Sequence, residues 1–365
     1  MNGSWHLTYL YPFGLAFVLS IVLTYAMRRF SLRWNILDHP HGHKSHRDPV
    51  PLLGGVAIVA TFFLISLLHL IALSHSISLG TEWIEERVVS FLGEDGEVKL
   101  AGILAGSFLI FILGIVDDLV VLTPWIKLIG QIAAAFMLVL SGLRIELFIP
   151  NFWISAGVTI FWVVFMTNAM NFIDNMDGLC GGVSVIAALS FFLGVRGDEV
   201  EFVRFILLVF AGSMAGFLYH NLNPARIFMG DAGAMFSGYL LATVAVVGTF
   251  HVTDENETLA VAAPLLALSV PVFDTFGVII IRLRSRQSIM LGDKRHFSHR
   301  LVDLGMTPRQ AVAFIYLVAG IVGLGGALLP ILDRVGTIIV LAQTFGIFLL
   351  IVLLMNASRR LTEIP

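Results

Sequence analysis

Asp117 and Asp118 stand side by side where an apolar run of the chain ends. Two carboxylates near lipid are costly unless something compensates them. Successive helix residues point about 100° apart, so the pair need not share one ligand. One can hold a cation while the other hydrogen-bonds or takes a proton. A solvated helix end is the plain alternative, but acids at a helix C-terminus oppose its dipole. A second group follows: Asn168, Asn171, Asp174 and Asp177 recur every three residues, just before Gly178. That spacing predicts a drifting stripe on one helical face. Carboxylate and amide oxygens suit Mg²⁺, or the edges of a sugar and a base. An interhelical hydrogen-bond ladder is the structural alternative. The third group runs from Asn221 through Asn223, Pro224, Arg226 and Gly230 to Asp231 and Gly233. Pro224 and the glycines mark a tight connection, with Asp231 near the start of the next helix. The backbone N–H groups and glycines there could approach a phosphate closely. Asp231 itself could hold a cation or cap the helix.

Two basic segments complete the set. Between Asp38 and Pro49 lie His41, His43, Lys44, His46 and Arg47, followed by Pro51, Gly54 and Gly55. Lys44 and its neighbours suit an anionic phosphate at a membrane surface. A zinc site on the three histidines, or a basic loop that only sets topology, are the alternatives. Further on come Asp293, Lys294, Arg295, His296, Ser298, His299 and Arg300. If helical, this piece sets His296 and His299 one turn apart, with Arg295 and Arg300 completing a phosphate-recognising surface. A solvated basic loop is the alternative. Asp274 lies inside an apolar run, where an acid faces other helices rather than lipid. Cys180 has no partner cysteine in the sequence, so no internal disulfide or cysteine cluster can form. It reads as a small buried filler.

The elements that must position these groups are spans. The chain has 365 residues, 58% hydrophobic and 13% charged, with a mean hydropathy of +0.91. A membrane helix needs roughly 20 mostly apolar residues. Helices suit the setting because they satisfy the backbone within the segment. The expectation is an all-α polytopic integral membrane protein with about eleven spans, at 9–28, 52–73, 100–117, 125–143, 152–170, 179–195, 203–220, 235–251, 258–281, 311–329 and 336–357. The first is read as a retained span, since it lacks a basic n-region and a small-residue cleavage site. Most of the 22 Lys and Arg fall on the side that carries the chemical groups. By the positive-inside rule this puts the N-terminus outside and the C-terminus in the cytoplasm. The outer segment 74–99 reads as a solvated loop, with a short helix at Glu82–Phe91. The whole, 1–365, reads as a single membrane-embedded domain with its site in the cytoplasmic loops and inner helix ends. No internal repeat and no nucleic-acid signature stand out. Carboxylates for a divalent cation, cations for phosphates and a site at the lipid boundary together suit phosphoryl transfer with a lipid participant.

From about Asp38 to Gly305 the five groups, in this order, resemble those of the polyprenyl-phosphate N-acetylhexosamine-1-phosphate transferases, of the glycosyltransferase 4 type. The resemblance implies catalytic roles for Asp117, Asp118 and Asp174. It implies Asp231 as the Mg²⁺ ligand, assisted by Asp118, with Mn²⁺ as a substitute. It implies substrate contacts from Lys44, His46, Lys127, Asn168, Asn171, Asp177, Asn221, Asp293, His296, His299 and Arg300. Gln131 matches a polar position after the aspartate pair. The run around His296 lacks the three consecutive histidines of the muramoyl-pentapeptide transferase branch and looks more like the branch that uses UDP-N-acetylglucosamine. Val121, where some members carry an acid, and Ser298, where some carry a histidine, are departures that bear on the sugar. The resemblance thus implies transfer of N-acetylglucosamine 1-phosphate from UDP-N-acetylglucosamine to undecaprenyl phosphate, releasing UMP, in the bacterial inner membrane. Implied partners are the UDP-sugar, undecaprenyl phosphate, membrane lipid and a second copy in a homodimer. Another UDP-N-acetylhexosamine or UDP-muramoyl-pentapeptide is the alternative within the class. A transporter is the alternative outside it, though charges at the inner edge and the missing repeat fit that poorly.

Overall fold

A computed structural model describes residues 5–38, 49–74, 96–145, 151–195, 201–249, 262–286 and 296–362. The helices are α1 (Trp5–Arg33), α2 (Gly54–Ser74), α3 (Gly96–Val120), α4 (Pro124–Leu140), α5 (Phe152–Ile173), α6 (Leu179–Gly194), α7 (Glu201–Asn221) and α8 (Gly230–Thr249). They continue with α9 (Ala262–Ala267), α10 (Ser269–Arg284), α11 (Phe297–Asp303), α12 (Pro308–Leu328) and α13 (Arg334–Thr362). One antiparallel pair, β1 (Leu37–Asp38) with β2 (Val50–Pro51), brackets the first basic loop, with Leu37 opposite Pro51.

Every expected span overlaps a helix, with three differences. Among the described residues, eight helices are long and apolar enough to cross a membrane: α1, α2, α3, α5, α7, α8, α12 and α13. The expected spans at 125–143 and 179–195 are the shorter α4 and α6. The expected span at 258–281 is broken at Leu268, between α9 and α10. Apolar composition could not reveal that break, because both halves remain apolar. The stretch Glu82–Phe91 and the three histidines of the zinc alternative lie outside the described residues.

Helix starts follow local chemistry. Asn151 caps α5, its Oδ1 accepting from the backbone N–H groups of Trp153 (3.0 Å) and Ile154 (3.2 Å). Thr307 and Gln310 form a capping box at α12, with Pro308 in the first turn. Pro124 likewise opens α4. Gly178 starts α6 at φ +78°, a backbone region that glycine enters freely.

Helix α8 is the axis of the bundle. It packs against α2, α3 and α5, and touches α6. Phe236, Tyr239 and Leu241 on it are sealed from solvent, and Phe236 meets Phe62 of α2 with ring centroids 5.4 Å apart. Small residues let backbones touch. A Cβ on Gly238 would sit 2.6 Å from the backbone oxygen of Met166 and 2.6 Å from Thr167 Cα. A Cβ on Gly114 of α3 would collide with the backbone of Ala232. Close backbone approach of this kind drives helix association where no hydrophobic effect operates between helices. Around this axis, α1 lies along α7, and α12 along α6 and α9, while α13 packs only lightly on α12.

The chain alternates direction, so the C-terminal ends of α3, α5 and α7 and the N-terminal ends of α4, α6 and α8 gather at one end of the bundle. That end carries the second and third polar groups and the aspartate pair. Gly238→Val should lower the midpoint of thermal unfolding in detergent by the equivalent of about 1–3 kcal/mol, because backbone cannot yield as a side chain can. Gly157→Ala, where a Cβ meets nothing within 4 Å, is the control and should leave the midpoint unchanged.

Candidate active site

The site is built where α8 begins. Gly230 takes φ +65°, and a Cβ on it would lie 2.5 to 2.6 Å from the Asp118 carboxylate oxygens. That turn lets Asp118 reach the exposed N–H groups of the helix start. Its Oδ1 accepts from Asp231 N (2.7 Å) and its Oδ2 from Ala232 N (3.1 Å). The N-terminal amides that could approach a phosphate therefore already donate to a carboxylate of the chain itself. Asp118, read from sequence as catalytic and metal-assisting, has both oxygens on the α8 N-terminus. There it matches the helix dipole and aims Asp231.

Asp231 in turn meets α4 and α5. Its Oδ2 accepts from Lys127 Nζ at 2.6 Å and its Oδ1 from Asn171 Nδ2 at 2.9 Å. Lys127 also pairs closely with Asp117 Oδ2. One ammonium thus bridges two carboxylates from different helices. Asp117 Oδ1 accepts from Leu122 N at 2.6 Å, which ties the carboxylate to the α3–α4 turn. In that turn Val121 adopts φ +51°, a region that β-branched residues seldom enter. The side chain of Val121 stands exposed. Beneath Lys127, Gln131 and Asn168 exchange hydrogen bonds (Asn168 Nδ2 to Gln131 Oε1, 2.7 Å) and so lock α4 to α5.

The expected four-residue stripe is divided by the end of a helix. Asn168 and Asn171 lie on α5, whereas Asp174 is its C-cap and Asp177 belongs to the following turn. Burial pushes the Asp174 carboxyl up to about 8, helped by repulsion from Asp231, Asp118 and Asp177. Burial is the larger cause, and the neighbouring acids add to it. Asp177 holds the neighbouring loop instead: its Oδ2 accepts from Asn223 Nδ2 (2.9 Å) and Ala225 N (3.0 Å). Asn221 does the same from the other side, accepting from Gly178 N (3.0 Å) and donating to Ile227 O (2.8 Å). Both were expected to contact substrate; both brace the turn that leads to Asp231.

The second basic segment enters through α11. His296 is its N-cap residue, and its Nδ1 lies 2.7 Å from Asp274 Oδ2. Ser298 Oγ donates to Asn175 Oδ1 at 2.6 Å, which gives that departure from the histidine pattern a structural partner. The rings of His296 and His299 are 6.5 Å apart, and His296 is 6.2 Å from Phe172. Arg300 sits one turn into α11, with its backbone N–H bonded to His296 O at 3.0 Å. Lys44, His46 and Asp293 lie outside the described residues.

Sequence reasoning assigned no role to Gly54 and Gly55. Gly54 N donates to Phe228 O and Gly55 N to Met229 O, both at 2.9 Å, so the start of α2 clamps the segment before Gly230. A Cβ on Gly55 would strike the backbone of Gly233 and Met229. The glycine pair was visible, but only the fold shows what passes beside it. Asn175 was likewise overlooked, and no spacing marked it.

Among the described residues no group of three or more His, Cys, Asp or Glu is arranged as a ready-made metal site. The donors that do gather are oxygens without sulfur. Mg²⁺ commonly takes one or two carboxylates and completes its shell with water and substrate phosphates, so Asp231 and Asp117 fit it.

A family described as Glycosyl transferase family 4 matches residues 100–249, the stretch that holds α3 to α8 and with them the aspartate pair, Lys127 and Asp231. The chain belongs to this family, and so to a class of membrane-embedded transferases. It is 30% identical over 328 residues to a Bacillus subtilis (strain 168) protein named probable undecaprenyl-phosphate N-acetylglucosaminyl 1-phosphate transferase, covering 86% of this chain and 84% of the relative. It is also 30% identical over 345 residues to the decaprenyl-phosphate N-acetylglucosaminephosphotransferase of Mycobacterium tuberculosis (strain ATCC 25618 / H37Rv), covering 86% and 80%. Similarity to the phospho-N-acetylmuramoyl-pentapeptide-transferase of Desulforudis audaxviator (strain MP104C) is 39% over 95 residues, or 26% of this chain.

Removing the Asp118 carboxylate leaves two α8 amides without their partner. Asp118→Ala should therefore lower the thermal midpoint in detergent, by the equivalent of about 1–3 kcal/mol. An unchanged midpoint would show that the contact does not hold α8.

Proposed function

We propose that the protein transfers N-acetylglucosamine 1-phosphate from UDP-N-acetylglucosamine to undecaprenyl phosphate, giving undecaprenyl-diphosphate-N-acetylglucosamine and UMP. The observation that carries this reading is the Asp117–Lys127–Asp231 bridge at one end of a helical membrane bundle. It supplies two carboxylates and one ammonium where a soluble pyrophosphate can meet a lipid phosphate. The two relatives matched over most of their length are named for this sugar phosphate, which supports the choice of donor. The site end faces the cytoplasm of a bacterial inner membrane, with the N-terminus outside. The excess of Lys and Arg on that side supports the orientation.

In the reaction an oxygen of the lipid phosphate attacks the β-phosphorus of the nucleotide-sugar. The bond from that phosphorus to the oxygen bridging the two phosphates breaks, and UMP leaves with the bridging oxygen. Asp117 orients the lipid phosphate and takes its proton if it arrives protonated. Lys127 lies between Asp117 and Asp231 and can follow the negative charge that moves from nucleophile to leaving group. Asn171 holds Asp231 in place, and Asp118 fixes the helix end on which Asp231 stands. Asp231 and Asp117 would hold Mg²⁺, which when bound neutralises phosphate charge and assists departure of UMP. Asp174 lies beside them with its carboxyl held up near 8, and a bound cation would favour its charged form.

The test is UMP release by purified protein supplied with undecaprenyl phosphate, Mg²⁺ and a panel of UDP-sugars that includes UDP-muramoyl-pentapeptide. UDP-N-acetylglucosamine should react fastest and EDTA should abolish turnover. Lys127→Met and Asp117→Asn should each lower the rate at least about a hundredfold. Failure to release UMP from every UDP-N-acetylhexosamine would sink the reading.

A further inference from the structure

Asp274 sits inside α10, where an acid needs a reason. It is 3% exposed and its partner His296 is 6% exposed. Both of its oxygens are engaged by α11. Oδ1 accepts from the backbone N–H of Phe297 at 2.5 Å, and Oδ2 lies 2.7 Å from His296 Nδ1. A carboxylate that already accepts one N–H with its first oxygen and faces a ring nitrogen with its second matches a ring that carries its proton on Nδ1. In a neutral imidazole Nε2 then holds the lone pair. Among the described residues Nε2 has no hydrogen-bond partner. His296 lies beside Phe172, next in the chain to Asn171, and the bond from Ser298 to Asn175 holds α11 against the end of α5. The imidazole therefore stands at the edge of the site with its tautomer and direction set from behind.

We propose that Asp274 is a positioning residue that keeps the His296 proton on Nδ1, so that Nε2 serves as a hydrogen-bond acceptor for a hydroxyl or N–H group of the nucleotide-sugar. This rests on the proposed transfer and assigns His296 to the sugar nucleotide's donor groups rather than to its phosphates. Asp274→Asn tests it. The amide oxygen can still accept from Phe297 N, while the NH₂ faces Nδ1 and drives the ring proton to Nε2. The acceptor becomes a donor without loss of shape.

Nitrogen NMR of histidine-labelled protein, assigned by the signal missing in His296→Gln, should show the Nδ1–H form in the wild type and the Nε2–H form in Asp274→Asn. The substitution should lower kcat/KM for UDP-N-acetylglucosamine about ten- to a hundredfold and leave KM for undecaprenyl phosphate unchanged. It should add nothing further in a His296→Gln background. An Nε2–H ring in the wild type overturns the proposal, whether or not the variant folds. So does a folded Asp274→Asn protein with wild-type kcat/KM, or a loss that multiplies with that of His296→Gln. A wild type that releases no UMP would instead sink the transferase reading, and the tautomer measurement would still report on the contact.

Discussion

A helix that starts at a buried polar site leaves backbone N–H groups in need of partners. At the start of α8 these are satisfied by Asp118, the second acid of the pair at the end of α3. Everything at the site hangs on that contact. It requires Gly230, because a side chain there would occupy the space of the carboxylate. It joins α3 to the helix that forms the axis of the bundle, and it sets the direction of Asp231, the next residue. The two aspartates of the pair thus have separate duties. Asp118 looks inward to the helix end, and Asp117 looks toward Lys127.

The second constraint is charge. Asp117, Asp118, Asp174 and Asp231 come from three helix ends and repel one another. Lys127 answers part of that repulsion from α4, and Asn171 adds a neutral donor. The remaining strain is visible at Asp174, whose carboxyl is held near 8 by burial and by its neighbours. A cluster of acids with hard oxygen donors is well matched to a divalent cation that arrives with phosphate groups. The surrounding loops hold this arrangement in place: Asp177 and Asn221 fasten the turn before α8, and Gly54 and Gly55 clamp it from α2.

The expected elements were largely legible because spans announce themselves by length and apolarity. The break at Leu268 and the short α4 and α6 were not, since apolar composition does not report where a helix bends or how far it reaches. Among the site residues, Asp117, Asp231, Lys127 and Asn171 could be picked out by type and order, and they converge. The even spacing of Asn168, Asn171, Asp174 and Asp177 suggested one continuous face. The helix ends after Ile173: Asp174 is its C-cap and stays beside the acid cluster, whereas Asp177 holds the Asn223–Ala225 loop. Ser298 looked like a missing histidine, yet it has a hydrogen-bond partner in Asn175.

Sequence by itself determined that this chain lives in a membrane, that its acids, amides and cations cluster on one side, and which motifs follow one another. Those properties depend on residue type and on order along the chain, which need no coordinates. Tertiary structure decided which polar groups support the site and which remain available for chemistry. A carboxylate looks the same in a sequence whether it caps a helix, braces a loop or faces a substrate. Only the donor placed opposite it settles the matter, and that donor comes from another helix, 113 residues away in the case of Asp118 and Asp231.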